Sequence, residues 1–118
     1  MAKIRASQSG GGGADLTLVA HADHDGNKTL TKTFVAPTSG YYYIFTCSSS
    51  YSGDYGGTCT ITKNGTTIPS SEYLYDEEKL NVNSAHLAKI YCNAGDTLVI
   101  TASGLGSGYY GNCILILG

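Results

Sequence analysis

Apolar residues recur along this chain with a period of two, not three or four. The clearest run is Thr31 to Cys47. A β-type run ends at Pro37, turns through Thr38-Ser39-Gly40 and enters a second run at Tyr41. Proline removes a backbone donor and glycine frees φ, so a tight corner is predicted between two strands. The second strand is apolar on both faces: Tyr41, Tyr43, Phe45 and Cys47 alternate with Tyr42, Ile44 and Thr46. A strand with one wet face alternates apolar with polar. This one needs a packed sheet behind it and a second partner in front, and another copy of the chain would serve.

Further strands are predicted at Asp15–Ala20, Lys28–Ala36, Thr58–Lys63, Thr66–Ile68, Ala85–Cys92, Thr97–Ala102 and Tyr109–Leu117. The last is again apolar on both faces, through Cys113-Ile114-Leu115-Ile116-Leu117. Asn64-Gly65 is a strong hairpin signal, because both central positions of a type I′ turn need positive φ. Asn93-Ala94-Gly95-Asp96 reads as another turn. Loops are expected at 48–57 and 103–108, and a short strand near Tyr73 within an acidic, irregular stretch, 69–84. His21-Ala22-Asp23-His24-Asp25-Gly26-Asn27 only partly matches a calcium loop, lacking a third early oxygen ligand and a distal acid. A solvated turn is expected there, and no metal. Residues 1–14 contain the run Gly10-Gly11-Gly12-Gly13 and read as a flexible tail ahead of one domain, 15–118. In that tail Lys3, Ile4 and Arg5 are candidate anchors for docking on something larger.

Composition sharpens this into an all-β domain. Of 118 residues, 16 are Gly, 10 are Tyr and 2 are Pro, and no window shows helical amphipathicity. The net charge of −2 leaves no nucleic-acid footprint. No apolar run reaches membrane-spanning length, so no membrane insertion is expected. The start has a basic beginning without an apolar core, so no secretory signal is expected, and folding in a reducing cytoplasm follows. Cys47, Cys59, Cys92 and Cys113 have no zinc-ligand spacing. They are expected to be free thiols, mostly buried.

Catalysis is not expected, nor any cofactor. Only His21, His24 and His86 could act as base for the many serines, and Glu77 and Glu78, adjacent on a strand, would point apart. Exposed tyrosines with Ser, Gly and Asp suit adaptable surface recognition instead. Tyr51, Asp54, Tyr55 and Leu105 are therefore the binding-loop candidates.

Four motifs in order carry a family resemblance. They are Phe34-x-Ala36-Pro37-x-x-Gly40-x-Tyr42-x-Ile44; Ile61-x-Lys63-Asn64-Gly65; Leu87-x-Lys89-x-Tyr91-x-x-Ala94-Gly95-Asp96-x-Leu98-x-Ile100; and a terminal apolar strand. Over 15–118 the chain resembles the jelly-roll family of complement globular heads and tumour necrosis factor. With its short tail and glycine linker it looks most like bacteriophage head fibres or fibre tips of this fold. The resemblance implies a two-sheet antiparallel jelly-roll sandwich and a homotrimer. One sheet would hold the first, third and last strands and Ala85–Cys92. Tyr41, Tyr42, Tyr43, Phe45, Tyr109, Leu115 and Leu117 would supply the interface or core. It also implies a virion structural protein assembled in the host cytoplasm. Its tail would hold a capsid or tail protein, and its distal loops would meet a host-surface glycan or protein. The other reading is a carbohydrate-binding, lectin-like module outside a virus.

Overall fold

The computed structural model of the chain describes residues 3–5, 15–26, 28–50, 57–77, 83–104 and 110–118, and lays the apolar runs into two antiparallel sheets. The strands are β1 (Lys3–Arg5), β2 (Asp15–Asp25), β3 (Thr29–Val35), β4 (Gly40–Ser50), β5 (Gly57–Lys63), β6 (Thr66–Ile68), β7 (Tyr75–Glu77), β8 (Asn83–Cys92), β9 (Thr97–Gly104) and β10 (Tyr110–Leu117). One sheet has six strands in the order β1-β2-β10-β4-β8-β7, the other four in the order β3-β9-β5-β6. The domain is an all-β sandwich consistent with a jelly roll. The first long strand, the last strand, β4 and β8 share one sheet, the grouping that the resemblance implies.

The core lies between the sheets because alternate residues of each strand point inward. In β9, Leu98, Ile100 and Ala102 are fully buried while Val99, Thr101 and Ser103 face out. Ile44, Ile61, Ile114 and Ile116 complete the centre. Each such side chain contributes about 1.5–3 kcal/mol by leaving water. Tyr42 belongs to this core, 3% exposed, with its ring edge-on to Phe34 at 5.3 Å. Its hydroxyl donates to the Thr38 carbonyl at 2.7 Å, so the buried phenol is satisfied.

Register fixes a polarity. β2 and β4 run the same way, since both pair antiparallel with β10. Asp25, Ser50, Gly57, Asn83, Gly104 and Tyr110 therefore gather at one end, the loop end. The opposite end holds the start of β2, Gly118 and the tight turns. There Asn64 (φ 51°) and Gly65 (φ 84°) make the type I′ turn that their sequence demands. Asn64 Nδ2 donates to Asp96 Oδ1 at 3.0 Å, and the Thr97 N–H donates to Asn64 Oδ1 at 2.9 Å. The hairpin is thereby stitched to the 93–96 turn.

Three local expectations are corrected. His21–Asp25 is not a turn but the second half of β2, paired with β10 as far as Asp25↔Gly111. Ala22 sits opposite core Ile114 while His21 and Asp23 face outward, so the polar residues fit a pleat. Ser48–Ser50 prolongs β4 rather than opening a loop, and Ser48 is buried between Ser84 and Asn112. Near Tyr73 a 3₁₀ turn, Ser70–Glu72, replaces the expected strand. Pro69 leads into it, and the strand follows two residues later as β7. The anchor candidates Lys3, Ile4 and Arg5 form β1, opposite Thr17, Leu16 and Asp15 at the edge of the six-stranded sheet.

Candidate functional site

The face of the six-stranded sheet that points away from the core is built by the odd-numbered residues of β4. Ladder partners lie on the same side of a sheet, so each row across the face can be read from register. Tyr41 lies beside Tyr91. Tyr43 lies between Lys89 and Leu117. Phe45 lies between Leu87 and Leu115, with Tyr75 beyond Leu87 and His21 beyond Leu115. Cys47 lies between Ala85 and Cys113, with Asp23 beyond. An outer face of an antiparallel sheet is ordinarily polar. Here the three central strands present aromatic, aliphatic and thiol groups, and His21, Asp23 and Lys89 stand around them.

The interface candidates Tyr41, Tyr43, Phe45, Leu115 and Leu117 thus share one surface, whereas Tyr42 faces the core. Phe45 and Leu115 are half-buried; Leu117 is covered at 8% exposure. Tyr41 and Tyr91 are 57% and 45% exposed, their rings 5.3 Å apart and nearly perpendicular at 76°. Lys89 Nζ lies 4.5 Å from the Tyr41 ring centre and 5.8 Å from that of Tyr43. Such a cation–π contact at an exposed site is worth about 0.5–1 kcal/mol. Next to this corner, a cleft of about 230 Å³ opens where β8 runs on past β7; Lys63, Glu72 and Tyr91 line it. Lys63 Nζ donates to the Tyr91 carbonyl at 3.0 Å and covers that edge of the strand.

Toward the loop end the interior turns polar: Thr46, Ser48, Ser84, His86 and Asn112 are buried. Asp76, the ladder partner of His86, places its Oδ1 2.6 Å from His86 Nδ1. The other ring nitrogen faces the Gly57 carbonyl of the second sheet at 3.3 Å. His86, 1% exposed, thus ties β7 and β8 to β5. A histidine oriented by a carboxylate can act as a base, but this one faces a backbone carbonyl and not a nucleophile. Its alternation with Ala88 and Ile90 is the sequence signal for this inward position, and nothing in the sequence pairs it with Asp76. Gly57 is needed here: a Cβ on it would lie 2.5 Å from both Ser103 O and Ser48 Cβ.

All four cysteines are free. Burial raises the Cys92 thiol and, more than the opposing Thr46 contact lowers it, the Cys59 thiol. The Cys47 and Cys113 thiols hydrogen-bond to each other, which lowers Cys113 to about 7 and pushes Cys47 well above the usual thiol range. Among the described residues no three His, Cys, Asp or Glu side chains cluster as a metal site. Tyr51, Asp54, Tyr55, Leu105 and Tyr109 lie outside the described residues.

No protein-family model matches the chain, and no curated protein matches it. Among solved structures, it is similar to a carbohydrate-binding module from the lichenase 5A of Cellvibrio mixtus, determined with cellotriose. The two share 18% sequence identity and a TM-score of 0.38 over 97% of this chain and 85% of that one.

Proposed function

We propose that this chain is a non-enzymatic recognition module that works as a closed oligomer of identical copies, a homotrimer. The observation that carries this reading is the apolar outer face of β4, β8 and β10, with polar residues around it. Apolar centres within polar rims are what specific interfaces bury. Exposed apolar patches of this kind mark interaction sites in folded proteins. A second copy supplies a matching surface, and cyclic closure prevents open-ended growth. The trimer number comes from the resemblance to complement heads and tumour necrosis factor.

In such a trimer the loop ends of the copies would point one way and the β1 ends the other. The β1 end, with Lys3, Ile4 and Arg5, would hold a larger body. The loop end, with Tyr51, Asp54, Tyr55 and Leu105, would meet a surface glycan or protein. A phage virion, as head fibre or fibre tip, is the setting that the resemblance implies. Light scattering after size exclusion tests the assembly. The expected mass is three times that of one chain at micromolar concentration, and a stable monomer rejects it.

A second reading is favoured by the Tyr41–Tyr91–Lys89 corner and the cleft beside it. Exposed rings and charged groups together suit sugar rings and hydroxyls. In this reading the chain is a lectin-like module and uses the face as a monomer. The perpendicular rings offer one flat surface each instead of a continuous platform. A glycan array separates the readings: a monomer that binds, and loses binding in Tyr91→Ala, is a lectin by that corner.

A further inference from the structure

Cys47 and Cys113 are direct cross-strand partners in the β4–β10 ladder. Directly opposed residues hold their Cβ atoms about 4.5–5.5 Å apart. Bridged cysteines hold theirs about 3.5–4.5 Å apart, so closure needs only a local shift. Each thiol is the main influence on the other's acidity, as neighbours across a ladder can be. Both are half-buried on the outward face, whereas Cys92 is fully buried and Cys59 packs against the core. We propose that Cys47 and Cys113 form a reversible two-electron redox site, which closes as an intrachain disulfide when it meets a small-molecule disulfide of the glutathione type.

The exchange balances in two steps. The Cys113 thiolate attacks one sulfur of the reagent; the reagent's S–S bond breaks, and one small thiolate leaves. Cys47 then gives its proton to solvent, and its sulfur attacks Cys113 Sγ. The mixed disulfide breaks and the second small thiolate leaves. The protein loses two hydrogens, and the reagent ends as two thiols. The first proton leaves Cys113 near neutrality because the remaining Cys47 S–H donates to the thiolate. Opposing this are burial and the Asp23 carboxylate across the β2–β10 ladder. Both thiols lie on the outer face that the assembly reading buries, so the reagent reaches them in the separated chain, and a bridge between ladder partners keeps the strand spacing there.

The test incubates the reduced full chain at nanomolar concentration with excess oxidised glutathione at neutral pH, then quenches with acid for mass measurement and peptide mapping. The expected product has lost two hydrogens and carries one linked peptide pair, Cys47–Cys113, with Cys59 and Cys92 unmodified. Cys47→Ser should stop at a stable glutathione adduct on Cys113. Cys113→Ser should react at least about tenfold more slowly at the remaining thiols. Modification of Cys59 or Cys92 as fast as Cys113, a bridge between any other pair, an unresolved adduct on the wild type, or no reaction at all would overturn the inference.

Discussion

Neighbouring residues Ile114 and Leu115 on β10 point to opposite faces, and this separates folding from assembly in one experiment. Ile114 is fully buried between the sheets. Ile114→Ala removes apolar contacts and leaves a cavity, at about 2–5 kcal/mol. That is a large share of the roughly 5–15 kcal/mol holding a typical domain together. Leu115 is half-buried in the single chain. Replacing it by Asp should cost the monomer only about 1 kcal/mol, because the carboxylate keeps contact with water. In a trimer the same change acts at three interfaces. Each loses about 1–2 kcal/mol of apolar burial, before the cost of an unpaired carboxylate. Together, about 3–6 kcal/mol shifts the monomer–trimer equilibrium by roughly two to four powers of ten. Leu115→Asp should therefore elute as a folded monomer with nearly native circular dichroism. Ile114→Ala should melt far earlier yet still form trimers below its melting point. If Leu115→Asp keeps the wild-type mass at micromolar concentration, the outer face is not the interface.

Other perturbations test separate parts of the molecule. Gly57→Ala should destabilise by about 1–3 kcal/mol, read as a lower thermal midpoint, because its Cβ meets the Ser103 carbonyl and Ser48. The Asn64 side chain and the Asn93 N–H hold Asp96 below the ordinary carboxylate range. A lowered folded pKa stabilises above the unfolded value and is lost as pH falls through the folded one. Wild-type melting should therefore decline more steeply with acid than that of Asp96→Ala; parallel curves would contradict the contact. Deleting residues 1–13 removes β1, a three-residue edge strand, and should lower the melting temperature by less than ~5 °C. Tyr51→Ala with Tyr55→Ala should leave mass and melting unchanged while reducing binding to target cells or a glycan array. Equal binding would make that loop a connector.

The period-two pattern by itself determined the fold class, most strand positions and the two turns at Asn64-Gly65 and 93–96. These are local matters, set by side-chain alternation and by the φ that each turn requires. It also marked β4 and β10 as apolar on both faces, because that property belongs to a strand before it meets any neighbour. Which residues stand next to each other was decided only in the tertiary structure. His21–Asp25 carries turn-like residues, yet β10 offers it a ladder as far as Gly111, and that pairing outweighs local preference. The pairing of His86 with Asp76, and of Cys47 with Cys113, depends on the register between strands distant in sequence. Register is fixed by burying one face of each strand against the other sheet, a cooperative choice that no single segment contains.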